Sequence, residues 1–104
     1  MEKKTPLISN EQKTELRKAV LVLRAVNHKL RQQMIELIET NKRMTVTDLY
    51  IKLHLEQSVA SQHLAILRRA GVVATDRNGK FIYYRVDNVK LAVILLQAVT
   101  MNSK

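Results

Sequence analysis

Between residues 57 and 80 the 104-residue chain gathers the side chains best suited to recognise a polyanion. Gln57, Ser58, Ser61 and Gln62 offer short hydrogen-bonding groups, and Arg68, Arg69, Arg77 and Lys80 follow as cations. Helical spacing sets Ser58, Val59, Gln62, Ala65 and Arg69 opposite an apolar stripe of Ala60, Leu64 and Leu67, with Ser61 on the flank. Small side chains on such a face permit close approach. A glutamine amide can pair with both groups of an adenine edge, serines can serve bases or phosphates, and the cations can neutralise phosphates. The chemistry these residues suit is reversible recognition of double-stranded DNA.

Other chemistries are poorly served. The chain has no cysteine, which excludes disulfides, zinc–thiolate sites and thiol nucleophiles. His28, His54 and His63 fall on different elements without ligand spacing, and His63 borders the apolar stripe, where a structural role is expected. No Ser–His–Asp set, paired carboxylates, glycine-rich phosphate loop or HExxH stretch is present, so neither an enzyme nor a bound metal or cofactor is expected.

The elements that must position these residues are legible from periodicity. Eighteen basic against nine acidic residues give a net charge of +9, and 46% of the residues are hydrophobic, enough to build a core. One domain over 1–104 is expected, with an anionic partner: nucleic acid first, an acidic membrane surface second. Residues 1–8 read as a flexible basic tail. Ser9 and Gln12 have capping-box spacing, and Leu16, Ala19, Val20, Leu23 and Val26 recur as a helix would require, giving a first helix over 10–26. Asn27 is placed to cap a second helix with an apolar face of Leu30, Met34, Ile35, Leu37 and Ile38. A helix–turn–helix over 45–71 follows. Its short first helix is capped by Thr45 or Thr47, with Val46, Leu49 and Leu53 inward; its second ends at Gly71.

From Val72 the period changes to two. The runs Val72–Arg77 and Lys80–Val86 flank Asn78-Gly79, a strong hairpin signal, and predict a wing over 72–86. A loop of those two residues would set Arg77 opposite Lys80, Thr75 opposite Ile82, and Val73 opposite Tyr84. Two cations in direct cross-strand register repel, and a DNA phosphate would relieve them. A last helix over 88–101 is apolar at ten of the thirteen positions from Val89 to Met101. That stretch is too short to span a bilayer, so a cytoplasmic chain with no membrane partner is expected. It is also more apolar than one protomer can hide. A two-fold dimer is therefore expected, with Leu16, Val20 and Leu23 of the first helix against Val89, Val93, Leu96 and Val99 of the last. The predicted fold is mainly α, within the α+β class: about five helices and one two-stranded hairpin, a winged helix–turn–helix.

The charge is not concentrated at the proposed interface. Residues 1–43 hold ten basic and five acidic side chains, and Lys3, Lys4, Lys29, Arg31, Lys42 and Arg43 either flank the groove or solubilise the chain.

Over Leu23 to Val86 the chain resembles the ArsR-type (arsenical-resistance repressor) winged-helix regulators. Ser58 to Val73 is similar to that family's recognition helix and its exit into the wing, Gly79-Lys80-Phe81-Ile82-Tyr83-Tyr84 to its second wing strand, and Leu30-Arg31 with Ile35, Leu37 and Ile38 to its second helix. The resemblance implies a homodimeric transcriptional repressor, joined through its first and last helices, that leaves DNA when an effector binds. Which effector, the resemblance leaves unknown. Thr45, Val46 and Thr47 stand where relatives carry a Cys-x-Cys metal site, and Asp87 is followed by Val89 where others carry Asp-x-His. Neither set suits a soft metal. His54 stands at the family's turn glycine and Glu56 at its serine cap. A second reading stays open at this level: a winged helix that holds another protein through its last helix and does not bind DNA.

Overall fold

The computed structural model describes residues 9–87, the side chain of Glu15 apart. The elements are α1 (Asn10–Val26), α2 (Lys29–Asn41), α3 (Val46–Lys52), α4 (Gln57–Arg69), β1 (Val73–Asn78) and β2 (Phe81–Val86). Four helices and an antiparallel hairpin among the described residues make a winged helix–turn–helix. The tail over 1–8 and the predicted helix over 88–101, with Val89, Val93, Leu96 and Val99, lie outside the described residues. No helix among those described is long and apolar enough to cross a membrane.

Local chemistry accounts for most boundaries. At the start of α1 the Gln12 N–H donates to Ser9 Oγ at 3.1 Å and the Ser9 N–H to Gln12 Oε1 at 2.8 Å, the reciprocal box that the spacing predicts. Thr45 and Asp48 repeat it at α3, at 3.1 and 3.0 Å. Asn27 does not cap α2. His28 does, its Nδ1 accepting from the Leu30 N–H at 3.2 Å, because the chain leaves α1 one residue later than Asn27 capping requires.

Both helices of the helix–turn–helix end in the same way. After α4 the Val72 N–H donates to the Leu67 carbonyl and the Gly71 N–H to that of Arg68, with Gly71 at φ +82°. After α3 the Leu55 N–H donates to Tyr50 and the His54 N–H to Ile51, with His54 at φ +56°. These are paired Schellman stops, and the second places a side chain where glycine is easier. His54→Gly should therefore raise the unfolding free energy by about 1 kcal/mol, read from a urea titration, with the glycine's extra chain entropy subtracting from the relief of strain.

The core is apolar throughout. Ala60, Leu64 and Leu67 of α4 are fully buried against Met34, Ile35 and Ile38 of α2, Leu49 of α3 and the strand ends Val73 and Val86. Leu30, Leu37, Val46 and Leu53 pack on its margin as partly buried neighbours. On α1 only the last turns reach the core. Val22, Ala25 and Val26 are buried, whereas Leu16, Ala19, Val20 and Leu23 are exposed. The C-terminal half of α1 is apolar on several sides, and the spacing that marks it as a helix does not by itself say which side is buried.

The hairpin register also differs. Arg77 pairs with Ile82, Thr75 with Tyr84 and Val73 with Val86, two residues away from the predicted pairing. The tip is Gly79-Lys80 rather than Asn78-Gly79, and Gly79 alone among the turn residues has positive φ, +64°. Glycine at the first central position is the preference of a type II′ turn, and this register sets two buried valines opposite each other. A shift of two keeps each side chain on its expected face. Arg77 and Lys80 are not cross-strand partners, so the repulsion expected between them is absent.

Candidate nucleic-acid interface

The exposed side of α4 is a continuous row. Ser58, Gln62, Ala65 and Arg69, spaced four, three and four, lie opposite the fully buried stripe, and all four are exposed. Ser61 and Arg68 run along one flank, and Gln57 opens the first turn, also exposed. Val59 departs from expectation: it is half-buried and leaves the face to its smaller neighbours. Ile66, 37% exposed, borders the row on the other flank and was not singled out by its type.

The face is held in place from behind. Arg31 of α2 donates through Nε to the Ala25 carbonyl at 2.7 Å and through Nη2 to that of Arg24 at 3.2 Å. Its Nη1 reaches His63 Nδ1 on α4 at 3.2 Å. Gln32 Nε2 adds a bond to the Val26 carbonyl at 2.7 Å. The last turn of α1 thus finds its acceptors satisfied by α2, and one guanidinium ties α1 to α4. Arg31 is therefore a clamp inside the fold, neither a groove-flanking charge nor a solubilising one. Its role depends on a residue 32 positions away and carries no local signature.

His63 sits where its environment opposes charge. Burial first, then His28 and Arg31, hold its imidazole below the ordinary value of 6.5. Its ring centroid lies 4.9 Å from that of His28, so two of the three histidines do meet in space. Because arginine only donates, the neutral ring must accept through Nδ1 and carry its proton on Nε2. The unfolded chain binds that proton more readily than the folded one. Stability from this site is complete above about pH 6.5 and declines as the pH falls below it. Melting temperatures at about pH 7.5 and about pH 5.5 should differ more in the unaltered chain than in His63→Gln.

At the front of α4 the helix N-cap is Glu56, which makes no side-chain capping bond. Glu56→Ser would supply the missing acceptor and remove a negative charge beside the exposed row. Thermal melts should show about 0.5–1 kcal/mol of added stability, and affinity for any polyanion on that row should rise.

The wing carries its charges unevenly. Arg85 Nε meets Asp76 Oδ2 at 2.7 Å and its Nη1 lies 3.8 Å from Asp87 Oδ1, so this cation is already satisfied. Arg77 donates to the Gly79 carbonyl at 3.3 Å, and neither it nor Lys80 is paired with a carboxylate among the described residues. Sequence reasoning missed the exposure of their neighbours Phe81 and Ile82, 52% and 46%, and it named Arg43 without its contact, a guanidinium 4.2 Å from the Tyr83 ring centroid. Alternation counted back from Val86 marks Ile82 as inward, but the tip overhangs the core, and both of its faces are exposed.

The Thr45 hydroxyl is engaged in capping α3, and among the described residues no three His, Cys, Asp or Glu side chains gather as ligands.

Comparison with known proteins fits this geometry. Residues 28–75 match the model of the family described as bacterial regulatory protein, arsR family. The transcriptional activator HlyU of Vibrio cholerae is 31% identical over 93 residues, covering 89% of this chain and 85% of its own length. The transcriptional repressor SmtB of Mycobacterium tuberculosis is 38% identical over 78 residues, 75% of this chain and 57% of that longer sequence. In fold, a homodimeric winged helix–turn–helix DNA-binding domain from Mycobacterium bovis superposes with a TM-score of 0.78 at 21% identity, covering 93% of this chain and 89% of that one. With its helix–turn–helix inside the matched segment and HlyU similar along nearly its whole length, the chain belongs to the arsR family of bacterial transcriptional regulators.

Proposed function

We propose that the protein is a sequence-specific, double-stranded DNA-binding regulator that grips a palindromic operator as a homodimer. One observation carries the reading: the row Ser58, Gln62, Ala65 and Arg69 stands free on a helix whose opposite stripe is wholly buried, and a hairpin with two carboxylate-free cations follows directly. A helix presented in this way enters the major groove with its N-terminal turns against base edges. Gln62 reads an adenine, and Gln57, Ser58 and Ser61 contact bases or phosphates near it. Arg68, Arg69, Arg77 and Lys80 grip the backbone.

The dimer forms through α1 and the apolar segment beyond the wing, with Leu16, Val20 and Leu23 facing Val89, Val93, Leu96 and Val99. Support comes from the exposure of the first three, 53%, 36% and 40%, on a helix that reaches the core only through Val22, Ala25 and Val26. Repression is the expected outcome, since a bound dimer keeps other proteins out of the same stretch of groove. The activator HlyU and the repressor SmtB show that relatives act in both directions. No catalytic step, cofactor or metal-sensing site is part of the proposal.

Selection of bound duplexes from a random pool tests all of this at once. An inverted repeat with half-sites about one helical turn apart supports both base reading and two-fold symmetry. Enrichment of a single unrepeated site would remove the dimer claim. Absence of any enriched sequence would remove the DNA reading and leave the protein-interaction alternative.

A further inference from the structure

The two-residue tip of the wing is flanked by Asn78 and Phe81, with Arg77 and Ile82 paired one step behind. Exposed hydrophobics this large are uncommon at a hairpin tip, where polar residues would do, and this one also carries two cations free of carboxylate partners. Phe81 is held in one posture: its ring centroid is 6.4 Å from that of Tyr83, tilted by 47°, and Lys80 Nζ lies 5.6 Å from its own. Tyr83 is in turn pinned beneath Arg43 from the loop between α2 and α3. The ladder from Arg43 through Tyr83 to Phe81 fixes an apolar blade before any partner arrives.

Strand length sets where that blade can reach. Six residues of strand extend about 20 Å from the end of α4, whereas the major groove is about 12 Å wide. With α4 in the groove, the tip therefore clears the bounding phosphates and arrives at the adjacent minor groove. The negative potential there favours Arg77 and Lys80, and an apolar side chain carried in with them can part a base step.

We propose that Phe81 is a wedge that lodges at a base step in the minor groove flanking each half-site, so that binding bends the duplex. The inference rests on the DNA-binding reading above and adds a residue, a groove and a deformation to it. Flexible pyrimidine–purine steps at the wing's footprint are then favoured without a single hydrogen bond to a base, because they are the easiest to unstack.

The test uses the full chain and a duplex recovered by selection, carrying fluorophores at both ends so that transfer efficiency reports the bend. The unaltered chain is expected to bend the duplex. Phe81→Ala should lose most of the bend and about tenfold in affinity, with the salt dependence of binding unchanged, because no phosphate contact is removed. Phe81→Leu, which keeps an apolar blade, should retain much of the bend. Arg77→Ala with Lys80→Ala should instead flatten the salt dependence by nearly one log unit of slope per lost contact. Circular dichroism of each variant checks that the fold is intact. Tight binding without a bend, or an unchanged bend in folded Phe81→Ala, overturns the wedge and leaves the DNA reading standing. No duplex binding by the unaltered chain overturns the reading itself.

Discussion

Replacing Arg31 with methionine is expected to lower the unfolding free energy by about 2 kcal/mol, although methionine fills much of the same space. The loss comes from acceptors, not volume. The Ala25 and Arg24 carbonyls and His63 Nδ1 all lose their donor, and two of these groups sit where water reaches them poorly. Arg31→Lys should recover only part of the loss, since one ammonium cannot span acceptors on two helices as a planar fork does. Urea titration of the three proteins checks the ranking. A methionine variant as stable as the original would show that α1 and α4 are held by apolar packing alone. The same variant should keep most of the pH-dependent destabilisation assigned to His63, because burial and His28 oppose its charge more than Arg31 does.

A larger effect is expected from Leu64→Ala, about 2–5 kcal/mol, since Leu64 is fully buried beneath the exposed row. That is a large share of the stability usual for a domain of this size. The variant separates folding from reading. Apparent DNA affinity should fall with rising temperature or urea as the folded fraction falls, while base preference measured on folded protein stays as before. Gln62→Ala should do the opposite, keeping the melting curve and relaxing preference at one base position. If Leu64→Ala altered base preference in the folded protein, α4 would have to be resting on a surface it can shift across.

The helix–turn–helix was legible because its signals are short-range. The capping box at Ser9, a threonine cap at Thr45 or Thr47, the stripe Ala60, Leu64 and Leu67, and Gly71 as a stop each depend on residues a turn or so apart. Even the unusual backbone at His54 could be anticipated, because the paired hydrogen bonds that end a helix impose the left-handed region on whichever residue follows. What sequence misses is what requires distance or competition. The Arg31–His63 contact joins two helices. The inward stripe of α1 competes with a second apolar stripe on the same helix, and only the arrival of α2 and α4 chooses between them. The hairpin register turns on whether Gly79 takes the first or second central position. That choice follows from Val73 meeting Val86 thirteen positions away, not from the dipeptide. The exposure of Phe81 and Ile82 follows from how far the tip overhangs the core, a length that alternation does not encode.

The base of the wing has a bearing on kinetics. Met44 and Tyr84 exchange two backbone hydrogen bonds, at 3.0 and 2.7 Å, which stitch the hairpin's middle to the loop between α2 and α3, and the Asp87 N–H bonds to the Val72 carbonyl at 2.7 Å, which closes the hairpin at its inner end. Beyond Tyr84 toward the turn, the contacts from Arg43 to Tyr83 and on to Phe81 continue the support. A reading head and a wing locked together in this way meet a partner as one preformed surface, with no slow ordering step before contact. Encounter rates should then be nearly the same for right and wrong sequences, and discrimination should lie in residence time.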